Sequence, residues 1–478
     1  MSWHPAVGDF RAQLPRITLI VAMLVAAAIL IGLHQQRASL PSERWYRLSQ
    51  QQVVEADLSW RVADAMELLR QQAAFVDAET VRQMRERAVG VWERRALAGQ
   101  TNHAAAYRLG VVYGHRGYAE QSSDMLALAA QLDESDSDYY HALSEIYSNP
   151  ELSDEALGEK AELVAQRDGW IARIVLADVY QRLGAAEQLA EVRAEQETHA
   201  TRFALGMASV TLIGGLLLLT GIIALATALW RWGFTVRERS APLPFLVPWT
   251  VVDITEAVAV LLFAMVVGGM LTSMAFADIL RVETWPLGRP LLMALQYVLV
   301  SGVTIGVLLY RARARASNPL RVLGVRLRGA LKLVGTGVVG YSVFLTLLVV
   351  LALVAGSMFG GMALGQTTEE VIGSAETPGE IAIYFVLVAV LAPIFEELIF
   401  RGYVYGGLRR IFTPRQAMLL GGAVFAAVHL NAEAFLIITL IGIMLCYLYE
   451  RTRSLLPAII AHGIHNALVL GVMLLQST

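Results

Sequence analysis

Charge disappears from the chain in nine stretches. Apolar, uncharged runs cover residues 17–33, 203–230, 257–277, 290–310, 333–358, 381–395, 416–432, 434–449 and 454–476, and a helix needs about 20 such residues to cross a bilayer. Nine spans are therefore expected. The sixth run reaches that length only by continuing through Glu396 and Glu397, and the seventh and eighth are short. Between the first and second runs, residues 34–201 are polar, with apolar positions at helical spacing, so a separate helical domain is expected there. The fold class that follows is all-α, a polytopic membrane helix bundle with an extramembrane helical domain.

That polar region carries a period. Leu109, Leu143 and Leu176 are each followed four residues later by Tyr113, Tyr147 and Tyr180, at spacings of 34 and 33 residues. Tetratricopeptide-like helical hairpins repeat at this length and stack to bury one face of each pair. Only the glycine after the tyrosine recurs, at Gly117 and Gly184, so ordinary amphipathic helices account for the pattern as well. If the repeats are genuine, the domain presents a concave surface to a protein partner.

Composition supports a membrane protein and excludes other classes. The chain has 478 residues, is 56% hydrophobic and has a mean hydropathy of +0.52, values of a multi-span protein and not of a soluble enzyme. A net charge of -3, with arginines scattered through the connectors, argues against nucleic-acid binding. Cys446 is the single cysteine, which leaves no disulfide framework and no cysteine metal site. The connectors "RWGFTVRER", "RARARASNPLRVLGVRLR", "RRIFTPR" and "ERTR" all fall on one side of the membrane, whereas "TTEEVIGSAETPGE" falls on the other. The positive-inside rule then places the amino terminus in the cytoplasm and residues 34–201 outside, in a multi-pass protein of the plasma (inner) membrane. At 17 residues the first run is longer than a signal-peptide core and reads as an uncleaved anchor. The expected division is 1–33 (cytoplasmic terminus and anchor), 34–201 (extracytoplasmic helical domain), 202–246 (second span and cytoplasmic linker) and 247–478 (membrane domain).

Ionisable side chains within spans cost about 2.5–3.5 kcal/mol each on insertion scales and so face one another or a wet cavity. Glu397 and Arg401 are spaced i, i+4 with the acid first, as in a helical salt bridge. Glu396 points about 100° away around the helix and has no local cation, which suits a general base or acid. Counting from the "TPR" turn at 413–415, Glu396 and His429 differ in depth by only ~5 Å across an antiparallel helix pair. His462 and Asn466 share a face of the last span. A carboxylate, two imidazoles and an amide are thereby expected in one cluster, with His465 beside it as a packing or hydrogen-bonding residue.

These residues resemble a known family. "EELIFR" (Glu396, Glu397, Arg401), "FAAVH" (Phe425, His429) and "HGIHN" (His462, Asn466) are similar to the EExxxR, FxxxH and HxxxN motifs of the CAAX prenyl protease and bacteriocin-processing family, also called the abortive-infection family. The likeness covers about residues 250–475, most sharply 390–470, and says nothing of the outer domain. It implies that 247–478 is an intramembrane endopeptidase domain acting on a membrane-associated protein or peptide. The residues matching Glu396 and His429 would activate a water, those matching His462 and Asn466 would stabilise the oxyanion, and Glu397, Arg401 and Phe425 would support them. No required cofactor is the favoured reading. The alternative is zinc held by Glu396, His429 and His462, with Asn466 nearby, although no HExxH motif is present. Two other classes compete with a protease. One is a non-proteolytic membrane adaptor that recruits partners through its outer domain. The other is a proton-coupled transporter, for which inverted repeats and paired broken helices are lacking.

Overall fold

A computed structural model describes residues 41–72, 77–97, 102–167, 169–234, 247–282, 284–359, 377–431 and 434–477. Every regular element among them is helical. They fall into two compact units, the first within Gln36–Ser209 together with the chain's last residues from Leu474, the second within Val210–Met473.

In the first unit the 33- and 34-residue spacing appears as three corresponding helices, His103–His115, Ser137–Ser148 and Trp170–Leu183, each followed by a second helix. Leu109, Leu143 and Leu176 are all buried, and Tyr113, Tyr147 and Tyr180 pack against the same core. Local chemistry sets the helix ends. Asn102 and Ser153 accept the backbone N–H of Ala105 and Ala156 as N-caps, and Gly184 closes its helix at φ +66°. Gly114 permits the close approach of the helices His103–His115 and Ser137–Ser148, since a Cβ there would lie 2.2 Å from the Tyr147 ring. Trp60, Trp92 and Trp170 fill the centre of the unit, with ring centroids 5.6–6.1 Å apart.

The second unit contains six of the seven spans that are long and apolar enough to cross a membrane: Val252–Phe276, Gly288–Arg313, Ala330–Leu351, Pro378–Leu408, Phe435–Thr452 and Leu456–Leu474. The seventh, Ala186–Ala228, begins in the first unit. The chain is thus a multi-pass membrane protein. Of the nine runs, the one at 416–432 forms a helix of only 15 residues, Pro414–Val428, and the one at 17–33 lies outside the described residues. Leu212, Leu216, Leu219 and Ile223 leave the Ala186–Ala228 span apolar on its outer surface, as lipid contact requires.

Capping boxes begin three of these helices. Thr250 pairs with Asp253, Thr377 with Glu380 and Thr413 with Gln416, the last two ahead of a proline at the first helical position. Arginines of the described connectors pair with carboxylates at helix ends of the unit. There Arg315 binds Asp253 at 2.5 Å, Arg311 binds Glu256 at 2.7 Å, and Glu450 receives Tyr405, Arg409 and Arg453 at 2.8, 3.2 and 3.1 Å. Trp249 stacks on Tyr403 at 4.6 Å and donates to its carbonyl. Buried carboxylates paired in this way fix the ends of four helices and hence the relative depth of the side chains within them.

Candidate active site

The helix Pro378–Leu408 is not uniformly α. Wider π turns at Val386–Leu391 and Leu398–Tyr405 flank the short α segment Ala392–Glu397 that carries both carboxylates. Pro393 accounts for part of this. In the first π turn the N–H of Ala392 reaches back to the Leu387 carbonyl, so the Val388 carbonyl would next receive residue 393, which has no N–H. Asn466 of the terminal helix Leu456–Ser477 supplies the missing donor, its Nδ2 lying 2.8 Å from the Val388 oxygen. Gly463, one turn earlier, brings the two backbones together, since a Cβ there would sit 2.7 Å from the Ala389 carbonyl oxygen. A neighbouring helix thus satisfies the backbone that proline breaks, as an apolar medium demands.

Fully buried Glu397 accepts two bonds on Oε1, from Arg401 Nη1 at 2.8 Å and from His462 Nδ1 at 2.9 Å. Arg401, equally buried, also reaches the Gly442 carbonyl at 3.4 Å and lies 4.2 Å from the centroid of Phe425. Phe425 is the hub of the aromatic contacts, edge-on to Phe400 at 5.1 Å, His429 at 4.7 Å and His462 at 5.7 Å.

Glu396 faces another way. Its Oε1 accepts the Tyr297 hydroxyl at 3.0 Å. Its Oε2 is buried without a hydrogen-bond partner and lies 3.8 Å from His462 Nε2. That gap exceeds a direct hydrogen bond. His462 therefore sits between the two carboxylates, with one nitrogen toward each.

The structure brings Glu396, Glu397, Arg401, Phe425 and His462 together and ties Asn466 to the helix that bears the carboxylates. His429 caps the helix Pro414–Val428 with an exposed side chain, and Leu430 after it takes φ +54°. Its Nδ1 lies 2.7 Å from the Phe425 carbonyl, so that nitrogen carries the proton and Nε2 keeps its lone pair. Among the described residues no hydrogen bond or ion pair joins His429 to Glu396; its link to the cluster is the Phe425 ring. His465 lies outside the cluster, with its Nδ1 3.3 Å from the Tyr341 hydroxyl.

Two participants escaped the sequence reading. Tyr297 lies on a different span from every motif, and its only signal was the polar pair Gln296–Tyr297 in the middle of an apolar run. The Val388 carbonyl is backbone, and Pro393 was its only trace. No group of three or more His, Cys, Asp or Glu side chains is arranged to hold a metal ion among the described residues. Glu396, His429 and His462 therefore do not fit a first coordination shell in this arrangement.

A membrane helix bundle with an inward-facing carboxylate pair and an imidazole between them defines a class of membrane protein with a polar site in its helical core. Comparison with known proteins gives the family. Residues 378–468 match the family described as type II CAAX prenyl endopeptidase Rce1-like, which supports the likeness of this part of the chain to the CAAX prenyl protease and bacteriocin-processing family. The chain is similar to the putative membrane peptidase YdiL of Bacillus subtilis (strain 168), 26% identical over 117 residues, covering 24% of this chain and 48% of the relative. It is also similar to the membrane-embedded CAAX protease MroQ of Staphylococcus aureus (strain USA300), 25% identical over 143 residues, 29% of this chain and 57% of the relative. A third relative, the UPF0177 protein in the abiGi 5'region of Lactococcus lactis subsp. cremoris, is 34% identical over 88 residues, 18% of this chain and 37% of the relative. The chain thus spans between a third and three fifths of the length of these relatives. No solved structure matches it.

Proposed function

We propose that the protein is an intramembrane endopeptidase that hydrolyses a peptide bond of a membrane-associated protein or peptide. One observation carries the reading: the buried, unpartnered Oε2 of Glu396 faces His462 Nε2 across 3.8 Å. A water admitted beside them as the substrate seats loses a proton to Glu396 while its oxygen bonds to the scissile carbonyl carbon. His429, with Nε2 free to accept, steadies the water's second hydrogen when the substrate seats beside Phe425. Charge then develops on the carbonyl oxygen. The second Nδ2 hydrogen of Asn466 stabilises it, together with His462, which donates from Nε2 only as the imidazolium because Nδ1 is committed to Glu397. Glu396 returns its proton to the leaving nitrogen as the C–N bond breaks. Glu397, Arg401 and Phe425 hold His462 in place, and no step is routed through a metal.

The protein sits in this reading in the plasma (inner) membrane with its amino terminus in the cytoplasm. Residues 34–201 act outside as a tetratricopeptide-like domain that selects the substrate or recruits a partner.

The test compares membrane-protein fragments in cells carrying wild type, Glu396→Gln or His429→Ala at matched protein levels. Loss of the same fragments in both variants supports the peptidase. Unchanged fragments in both leave the bundle with a scaffolding role and favour the adaptor. Removing residues 40–200 from the active protein tests the outer domain, whose selecting role requires the fragment pattern to change.

A further inference from the structure

We propose that the segment Arg311–Lys332 is a binding surface for the headgroups of anionic phospholipids. It joins the spans Gly288–Arg313 and Ala330–Leu351 and so lies at a bilayer face. It holds seven cations, at 311, 313, 315, 321, 326, 328 and 332, and no carboxylate. Arg311 and Arg315 are engaged by Glu256 and Asp253. The other five side chains are exposed, and among the described residues none meets a carboxylate.

The backbone that bears them is anchored. Leu323 is buried, and its carbonyl accepts the Tyr449 hydroxyl at 2.9 Å. Gly324, at φ +93° and against the Tyr449 ring, accepts Leu455 N–H at 3.0 Å, and the Arg326 carbonyl accepts the Ser454 hydroxyl at 3.1 Å. With this strip pinned, Arg321, Arg326 and Arg328 project outward as a fixed array. Interleaved with them are Leu320, Val325 and Leu327, which are 47%, 39% and 68% exposed. Guanidinium groups at phosphate level with leucines at the acyl boundary are complementary to an anionic lipid surface. Because the segment joins two spans, lipid headgroups lie against it whether or not a soluble partner is present. The surface stands apart from the peptidase reading and holds whichever way that reading is decided.

The full chain, reconstituted in phosphatidylcholine bilayers with trace spin-labelled phosphatidylglycerol or spin-labelled phosphatidylcholine, tests this by the fraction of each probe immobilised at the protein. Wild type is expected to prefer phosphatidylglycerol severalfold, and the preference should shrink at about 1 M salt, where the screening length is ~3 Å. Arg321→Gln/Arg326→Gln/Arg328→Gln should bring the ratio close to equality, and Arg87→Gln/Arg94→Gln, in the other unit, should leave it unchanged. Should the triple variant fail to fold, Arg321→Gln and Arg328→Gln singly are each expected to give an intermediate ratio. No preference in wild type, or a full preference in the variants, overturns the proposal. So does loss of the wild-type preference in millimolar inorganic phosphate, which would mark a free-phosphate pocket.

Discussion

Asn466 donates to the Val388 carbonyl at 2.8 Å, the oxygen that Pro393 leaves without its helical partner. The amide therefore has a structural duty besides any part in chemistry, and the two separate experimentally. Asn466→Ala leaves a carbonyl unsatisfied, at about 1–3 kcal/mol, and should lower both thermal stability and proteolysis. Adding Pro393→Ala restores an N–H beneath Val388 and should recover stability. Proteolysis that stays low in the double variant assigns the second amide hydrogen to the oxyanion, and full recovery of fragments would reduce Asn466 to a staple between helices.

Tyr297 fixes Oε1 of Glu396 and so aims Oε2 at His462. Hydrogen bonds to charged groups are worth about 1.5–3 kcal/mol, so Tyr297→Phe should slow fragment production roughly 10–100-fold while expression and melting temperature stay near wild type. Under the proposed mechanism Glu396→Gln should give the inactive reference. A Phe variant that cleaves at the wild-type rate would remove Tyr297 from the site.

Legibility differed by kind of information. Apolar run length exposed the spans because a bilayer imposes its thickness on the sequence, and the Leu–Tyr period fell on three helices because each turns that face to one shared core. Spacing along one helix likewise paired Glu397 with Arg401, an i, i+4 relationship internal to a single element. It could not show His462 binding Glu397 across helices, since that contact depends on rotation and depth set by Gly463, Gly422 and Gly442 at close approaches. Nor could depth counting place His429. The helix ends at that residue, and Leu430 turns the chain away at positive φ.

Glu397, Arg401 and His462 form a buried set in which removing one charge strands another. Breaking such a pair costs about 3–5 kcal/mol, so Arg401→Met should reduce membrane accumulation and melting temperature sharply. The double variant Glu397→Met/Arg401→Met should lose much less than the sum of the two single losses. Additive losses in a double-mutant cycle would show that the two side chains act independently.

His115 bonds Asp178, which also accepts Tyr147, and so links three helices of the first unit. The hydrogen bond to Asp178 raises the His115 pKa above 6.5, against partial burial and the neighbouring Arg116 and Arg85. A pKa raised by folding stabilises the folded state below the unfolded value, and that contribution fades as pH climbs through the folded value. Amide exchange in His103–His115 and Trp170–Leu183, corrected for intrinsic rates, should therefore quicken as pH rises above about 6.5. His115→Gln should flatten this dependence; an equal slope in the variant would assign it elsewhere.

Metal content follows from how the imidazoles are already used. His462 Nδ1 is held by Glu397 and His429 Nδ1 by the Phe425 carbonyl, which leaves Nε2 of each ring for other contacts, the nitrogen that zinc prefers when the other is anchored. Donor chemistry alone would admit a metal, but Glu396, His429 and His462 are not arranged as a ligand set among the described residues, and Oε1 of Glu396 is engaged by Tyr297. Elemental analysis of purified, active protein should give zinc well below one per chain, and 1,10-phenanthroline should leave fragment production unchanged. Stoichiometric zinc, with activity lost on chelation and regained on adding it back, would mean that His429 swings past Phe425 to complete a coordination shell. In that case Phe425→Leu, by clearing the path, should tighten zinc and not loosen it.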